Sequence, residues 1–179
     1  MLYGFIVFSV EFDYYYPMSS NLTPAQAKKL LMDLVAQRDH SEKELRTKLS
    51  VRCEPDVVEA TMAWALEQNW LTKPDALQAD LAGQLSRKGK GIKQINEKLE
   101  RLGLETVKAE PEQELAKARK LALAKWSNED FEGISLSEKQ KLQAKIMRFL
   151  VARGFESSVI NQILKNEFKK SGDFYDEEF

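Results

Sequence analysis

A pattern that occurs three times along the chain is the strongest constraint on its fold. Apolar residues one helical turn apart lead to a small residue in three segments, which are Leu45-x3-Leu49-x3-Cys53, Ile95-x3-Leu99-x3-Gly103 and Ile146-x3-Leu150-x3-Gly154. The first residues of these segments are separated by 50 and then by 51 positions. Leucine at i and i+4 occurs in any amphipathic helix, so the regular spacing and the two glycine ends carry the inference. Together they predict a helical repeat array.

Helix-start signals divide each repeat into smaller elements. Most of the predicted apolar stripes follow either a capping box, in which Ser or Thr precedes Glu or Gln by three residues, or a proline at the first helical position. These starts lie at Thr23-Pro24, Ser41, Pro55, Pro74, Pro111 and Ser135. We therefore predict an all-α protein of three tandem three-helix repeats in an elongated, curved array. In the second repeat, a short third helix is expected after Gly103.

The same signals predict five parts of the chain. Residues 1–21 are predicted to be an N-terminal extension, and the three repeats to span residues 22–72, 73–110 and 111–170. Residues 171–179 form an acidic tail that we expect to be solvated. Helical signals begin only after Asn21, which favours Met18 as the natural start of the protein. The alternative is an aromatic N-terminal arm that docks on the helical body.

The composition favours a helical protein without a catalytic or metal site. Eight glycines and five prolines in 179 residues are few for an all-β or disordered chain. The single histidine, His40, is expected to pack locally, and the single cysteine, Cys53, to be a small buried side chain. One thiol fits the reducing cytoplasm, and the first twenty residues match neither a membrane span nor a signal peptide. We predict no enzyme and no cofactor; the alternative is an enzyme with a carboxylate pair.

The charge of the chain is balanced overall but clustered locally. A net charge of −1 is not that of a protein that coats nucleic acid along its whole surface. Six basic residues and two acids lie between Arg87 and Arg101, whereas the stretch from Lys139 to Arg153 has five basic residues and no acid. For the second stretch, a solvated helix face is an equal alternative. Eight side chains are predicted to contact a partner or DNA, namely Arg87, Lys88, Lys90, Lys93, Lys98, Arg101, Arg148 and Arg153.

The run from Ser86 to Gly91 resembles a phosphate-binding loop only in composition. It lacks the GxxxxGK[ST] spacing and lies between predicted helices instead of after a strand, so no nucleotide site is predicted. We predict a flexible basic connection instead. Its backbone amides and side chains, with Lys93 near the start of the next helix, would meet phosphates or carboxylates.

Three motifs occur in order along the chain: Arg38-Asp39-His40-Ser41-x2-Glu44-Leu45-x2-Lys48-Leu49, Arg87-Lys88-Gly89-Lys90-Gly91 followed by Ile95 and Leu99, and Arg148-Phe149-Leu150-x2-Arg153-Gly154-Phe155. With these motifs the sequence resembles the RecX family of bacterial recombination regulators. The resemblance covers about residues 22–168. The chain departs from the family at residues 70–73, where an acidic pair is usual, and at residues 82–85, where an Arg-rich helix is usual.

The resemblance implies a non-enzymatic, cytoplasmic, monomeric protein that binds the RecA recombinase and lodges in the groove of its nucleoprotein filament. It also implies that the protein limits filament extension in DNA repair and the SOS response, and hence strand exchange, ATPase and coprotease activity. An elongated array with basic loops is compatible with contacts to filament subunits and weak contacts to DNA. The alternative is a helical DNA-binding module that acts without RecA and loses affinity steeply with salt.

Overall fold

Helices joined by short connections make up the regular structure of the chain. The computed structural model describes residues 21–126 and 135–169, with side chains as far as residue 166. Within these ranges all regular secondary structure is α-helical, which confirms the predicted fold class. The predictions for residues 1–20 and for the acidic tail concern residues outside these ranges. The helices are α1 (Pro24–Gln37), α2 (Glu42–Ser50), α3 (Pro55–Glu67), α4 (Pro74–Arg87), α5 (Ile92–Arg101), α6 (Pro111–Trp126), α7 (Leu136–Ala152) and α8 (Ser157–Lys169).

The helix starts lie where the capping signals predict them. At α1, the Thr23 hydroxyl accepts from the Gln26 amide, and Gln26 Oε1 accepts from the Thr23 amide at 2.9 Å. Ser135 forms the same capping box before α7, and the Ser41 hydroxyl accepts from the backbone at the start of α2. The first residue of α1, α3, α4 and α6 is proline, which has no amide hydrogen. Each of these four helices therefore has one fewer unpaired amide at its start. Local sequence therefore fixes most of the helix boundaries.

The helices form three units, each with its own core. Unit 1 contains α1–α3, unit 2 contains α4 and α5, and unit 3 contains α6–α8. The apolar pairs of the repeated pattern are all buried, namely Leu45 and Leu49, Ile95 and Leu99, and Ile146 and Leu150. Nine buried residues form the core of unit 1 and ten that of unit 3, but only four form that of unit 2. So small a core makes unit 2 depend on contacts with its neighbours.

Unit 2 lacks the third helix that the sequence predicts after Gly103. Residues 102–110 run as a turn followed by irregular chain. The Asn96 side chain holds this connector by pairing with both backbone groups of Val107, at 2.9 Å to its amide and 3.0 Å to its carbonyl. Only seven residues separate Gly103 from Pro111, which leaves little room for a capped helix. The β-branched Thr106 and Val107 also favour an extended backbone.

The single histidine and the single cysteine are both buried in unit 1, as predicted. His40 is 5% exposed, and its Nδ1 lies 2.8 Å from the carbonyl oxygen of Arg38, so this nitrogen carries a proton and donates. Burial lowers the pKa of His40, and burial raises the pKa of the Cys53 thiol. Both side chains therefore stay uncharged at neutral pH and serve the packing of the unit.

Candidate partner interface

The basic connection between α4 and α5 closes α4 in a defined turn. Gly89 has a φ of +72°, in the left-handed region that favours glycine. The amide of Gly89 donates to the Ser86 carbonyl at 2.9 Å, and that of Lys90 donates to the Leu85 carbonyl at 3.0 Å. These two bonds form a Schellman motif. The path of the connection is therefore set by the backbone, independently of its basic side chains.

The backbone amides of this connection are all used within the chain. Those of Lys88, Gly89 and Lys90 bond to α4. Beyond them, Gly91 donates to the Arg153 carbonyl at 2.7 Å, Lys93 donates to the Gly154 carbonyl at 3.0 Å, and Ile92 donates to Glu114 Oε2 at 3.2 Å. The prediction that these amides meet phosphates is therefore wrong, because unit 3 occupies the amino-terminal end of α5. Only the side chains remain for a partner.

Two glycines let units 2 and 3 approach backbone to backbone. A Cβ atom at Gly91 would lie 2.5 Å from the backbone of Gly154 and from the amide nitrogen of Phe155. A Cβ atom at Gly154 would lie 2.6 Å from the amide nitrogen of Gln94. The Gln94 side chain adds a bond across the same junction, from its Nε2 to the Ala152 carbonyl at 2.5 Å. The second and third family motifs thus meet at one junction, although 63 positions separate their glycines.

Arg153 is a structural part of this junction. Its guanidinium lies 4.6 Å from the centre of the Phe149 ring, and its Nη1 donates to the carbonyls of Lys88 and Gly89 at 3.5 and 3.4 Å. Lys125 also approaches the Phe149 ring, with Nζ 4.3 Å from the ring centre. The contacts of Arg153 and Lys125 with the Phe149 ring are cation–π interactions. Arg153 therefore orients the carbonyl side of the basic connection.

A buried ion pair at the junction was not predicted from the sequence. Glu114 is 7% exposed, and its carboxylate binds both the Ile92 amide and the ammonium group of Lys117. Lys117 Nζ also donates to the Ser86 hydroxyl at 3.2 Å. The negative charge of Glu114 is favourable at the amino-terminal end of α5 because of the helix dipole. The spacing of the sequence could have revealed that Glu114 is buried, since Glu114 continues the buried series Ala118, Ala122 and Trp126 toward the start of α6.

The eight predicted contact residues lie in different settings. Arg87, Lys88, Lys93, Arg101 and Arg148 are exposed, whereas Lys90, Lys98 and Arg153 are half-buried. Two of them line separate grooves. Lys93 lines a groove of about 670 Å³ between α5 and unit 3, and Lys98 lines one of about 390 Å³ between α5 and unit 1. The structure therefore brings Arg87, Lys88, Lys90, Lys93 and Arg153 to one junction but does not place all eight residues on one face.

The charges of these residues are not neutralised by close carboxylates. Within the described ranges, ion pairs join Arg38 to Glu44, Arg46 to Glu42 and Glu59, and Lys117 to Glu114, and none involves the eight residues. The pair of Arg38 and Glu44 changes the pKa of Glu44. Burial alone would raise the pKa of Glu44, but the hydrogen bond and positive charge of Arg38 lower it. The cations of the connection stay available to an external anion.

The described residues contain neither a candidate metal site nor a helix that could span a membrane. No group of three His, Cys, Asp or Glu side chains in residues 21–126 and 135–166 is placed to hold a metal ion. No helix within the described ranges combines the length and apolar character needed to cross a membrane.

Comparisons with known proteins decide the family. Regulatory protein RecX of Salmonella typhimurium is 33% identical over 162 residues, which cover 80% of this chain and 93% of the relative. The chain belongs to the RecX family. Regulatory protein RecX of Ralstonia nicotianae is 32% identical over 146 residues, covering 79% of this chain and 88% of the relative. The family profiles for the first and third three-helix domains of RecX match residues 27–64 and 112–164.

Solved RecX structures share the fold. The crystal structure of RecX from Lactobacillus salivarius gives a TM-score of 0.60 at 15% identity, covering 80% of this chain and 96% of that one. A crystal structure of regulatory protein RecX gives 0.59 at 21% identity, covering 78% and 72%. The family resemblance drawn from the three motifs is therefore confirmed.

Proposed function

We propose that this RecX family protein binds the RecA recombinase on its DNA filament and inhibits filament extension. Strand exchange, ATPase and coprotease activity would fall as a consequence, in DNA repair and in the SOS response. The protein would act without a cofactor, as a cytoplasmic monomer. The role is regulatory, because binding changes the length of the filament and no bond is made or broken by this chain.

The observation that carries the proposal is a cluster of four basic side chains on a fixed backbone, three of them exposed and Lys90 half-buried. Arg87, Lys88, Lys90 and Lys93 extend from a connection whose amides are all bonded internally. Charges held in this way can meet acidic side chains or phosphates without a large loss of backbone entropy. Arg153 acts by orienting the connection. Secondary contacts come from Arg101 and Arg148, which are exposed, and from Lys98, which lines the groove next to unit 1.

A fourfold substitution tests the proposal. Replacing Arg87, Lys88, Lys90 and Lys93 by Ala should leave the fold intact, because their side chains form no ion pair within the described ranges. Exposed charge contacts contribute up to about 1 kcal/mol each, so binding to RecA filaments should weaken by about 2 kcal/mol, or roughly thirtyfold. The readout is the RecA ATPase rate on single-stranded DNA, titrated with each protein, and the difference should shrink at high salt.

A matched variant controls for loss of net charge. Lys29, Lys48, Lys73 and Lys165 are exposed and lie on or next to α1, α2, the start of α4 and α8, outside the contacts of the connection, so replacing them by Ala removes the same charge. This control should inhibit RecA as the wild type does. Equal inhibition by the wild type and the variant of the connection would overturn the assignment of this cluster.

Direct DNA binding without RecA is a second candidate function. It is favoured by α7, on which Lys141, Lys145 and Arg148 are exposed along one side. Such binding depends mainly on counterion release, so its logarithm should fall linearly with the logarithm of the salt concentration. Titration of bare single-stranded DNA measures this slope. Loss of bare-DNA binding in the fourfold variant, with filament inhibition intact, would favour this role for the connection.

A further inference from the structure

The outward face of α7 carries a basic stripe beside an apolar one. Leu142, Ile146 and Leu150 point into the core of unit 3 and are at most 3% exposed. At 3.6 residues per turn, the opposite side of the helix presents two adjacent rows. The basic row is Lys141, Lys145 and Arg148, and the apolar row is Leu136, Met147 and Val151.

The described part of the chain leaves this face uncovered. Leu136, Met147 and Val151 are 71%, 42% and 57% exposed. No ion pair within the described ranges involves Lys141, Lys145 or Arg148. Exposed apolar side chains next to a row of cations are typical of a surface that binds another segment. The segment that fits must combine acidic and large apolar side chains.

In contrast to the solvated tail that its composition alone predicts, we propose that residues 171–179 of the same chain dock on this face of α7. This segment, Ser-Gly-Asp-Phe-Tyr-Asp-Glu-Glu-Phe, carries four carboxylates and three aromatic rings. The carboxylates complement the three cations of the basic row, and the aromatic rings complement the apolar row. The stretch from Lys139 to Arg153 contains no acid of its own, and the nearest acid on α7, Glu138, accepts hydrogen bonds from the amide and hydroxyl of Ser135.

The geometry of unit 3 brings the segment close enough. Four residues separate α7 from α8, and α8 packs on both α7 and α6 in the core of unit 3. The path around α7 is about 17 Å and the distance along it from Lys141 to Arg148 about 10 Å, given the helix diameter and rise. Ten extended residues span up to about 33 Å, which is enough for both.

Docking of the tail would regulate the proposed function, on which this step rests. Arg148 belongs both to the basic row and to the predicted partner contacts. A tail that neutralises this row competes with filament or DNA phosphates for the same cations. The free protein then binds filaments or DNA more weakly until a RecA filament displaces the tail.

Two methionines provide a direct test. Met147 lies in the apolar row, while Met32 lies on α1 in unit 1 and is 43% exposed, almost the same as Met147. In full-length protein labelled at the methionine methyl groups, we compare the wild type with a variant carrying Asp173→Asn, Asp176→Asn, Glu177→Gln and Glu178→Gln. The Met147 methyl resonance should shift in the variant and the Met32 resonance should not. Met147→Leu and Met32→Leu assign the two signals.

A second pair of variants tests the basic row. Lys141→Gln with Lys145→Gln should move the Met147 resonance toward its position in the tail variant, whereas Lys29→Gln with Lys73→Gln should not. An unchanged Met147 resonance in the tail variant, or equal shifts of Met147 and Met32, would overturn the docking. None of these measurements needs RecA, so they are independent of the proposed function.

The competition is tested with RecA filaments. The tail variant should inhibit the RecA ATPase at about a two- to fivefold lower concentration than the wild type, the range expected from one exposed charge contact. Equal potency would overturn the competition even where the Met147 shift supports docking. If neither form inhibits RecA, the proposed function fails, and the resonance shifts alone decide whether the tail docks.

Discussion

Units 2 and 3 meet through their backbones, whereas units 1 and 2 are joined through an exposed side chain. At the first junction, Gly91 and Lys93 donate to carbonyls of unit 3, and the carboxylate of Glu114 caps α5. At the second, Lys43 Nζ donates to the Glu100 carbonyl at 3.3 Å beside an open groove. Backbone contacts leave no freedom for rearrangement by a change of rotamer. Units 2 and 3 are therefore held together more rigidly than units 1 and 2, although the three units are built from similar repeats.

Of the variants that test this difference between the two junctions, Gly154→Ala should lower the stability of the protein most. Gly154 has a φ of +81°, and a Cβ there would lie 2.6 Å from the Gln94 amide nitrogen. The left-handed conformation and the overpacking together should lower the free energy of unfolding by about 3 kcal/mol. Urea denaturation measures the loss. Gly83→Ala is the control, because Gly83 lies within α4 and faces only the flexible end of Arg87, so it should stabilise the protein by about 0.5–1 kcal/mol.

Glu114→Gln should have the next largest effect. The variant keeps an acceptor for the Ile92 amide but leaves the largely buried ammonium of Lys117 without its carboxylate. A loss of about 2 kcal/mol is expected from an uncompensated, partly buried charge. Adding Lys117→Met should recover part of this loss in a double-mutant cycle followed by urea denaturation. If the two substitutions are additive instead, the ion pair between Glu114 and Lys117 does not contribute to stability as described.

The stability of the protein should depend on pH through two groups of unit 1, His40 and Glu44. Because burial lowers the pKa of His40 below its ordinary value of 6.5, the unfolded chain binds a proton that the folded chain does not. Stability should therefore fall as pH decreases below about 6.5, by less than the effect of Glu114→Gln. The lowered pKa of Glu44 adds a loss in the same direction at more acidic pH. Thermal melting between pH 7.5 and 5.5 checks the first step, which should be reduced in His40→Gln; an identical pH slope in that variant would contradict it.

Lys43→Ala should have the smallest effect on stability. The Lys43 side chain is exposed and donates to a single carbonyl, so a loss within about 0.5 kcal/mol is expected. The melting temperature should stay close to that of the wild type. A loss comparable with that of Gly154→Ala would show that the two junctions are equally strong.

The sequence predicted what depends on neighbours along the chain, and missed what depends on distant ones. Capping residues such as Thr23 and Ser135 and the apolar pairs of the repeated pattern act within their own helices, so their positions were correct. The predicted third helix of unit 2 failed because Asn96, on α5, binds the connector instead. The amides of Gly91, Ile92 and Lys93 are wrongly predicted to be available to phosphates because their acceptors lie in unit 3. Spacing cannot reveal such partners, since 62 positions separate Gly91 from Arg153.

The internally bonded amides of the basic connection also have a consequence for evolution and for engineering. The turn and the junction require glycine at positions 89, 91 and 154, but not a particular side chain at the exposed positions 87, 88 and 93. Charge at these three positions can therefore be exchanged while the architecture is kept. A library randomised there would vary the choice of partner on a constant scaffold, and changes of specificity should not require compensating mutations in the core.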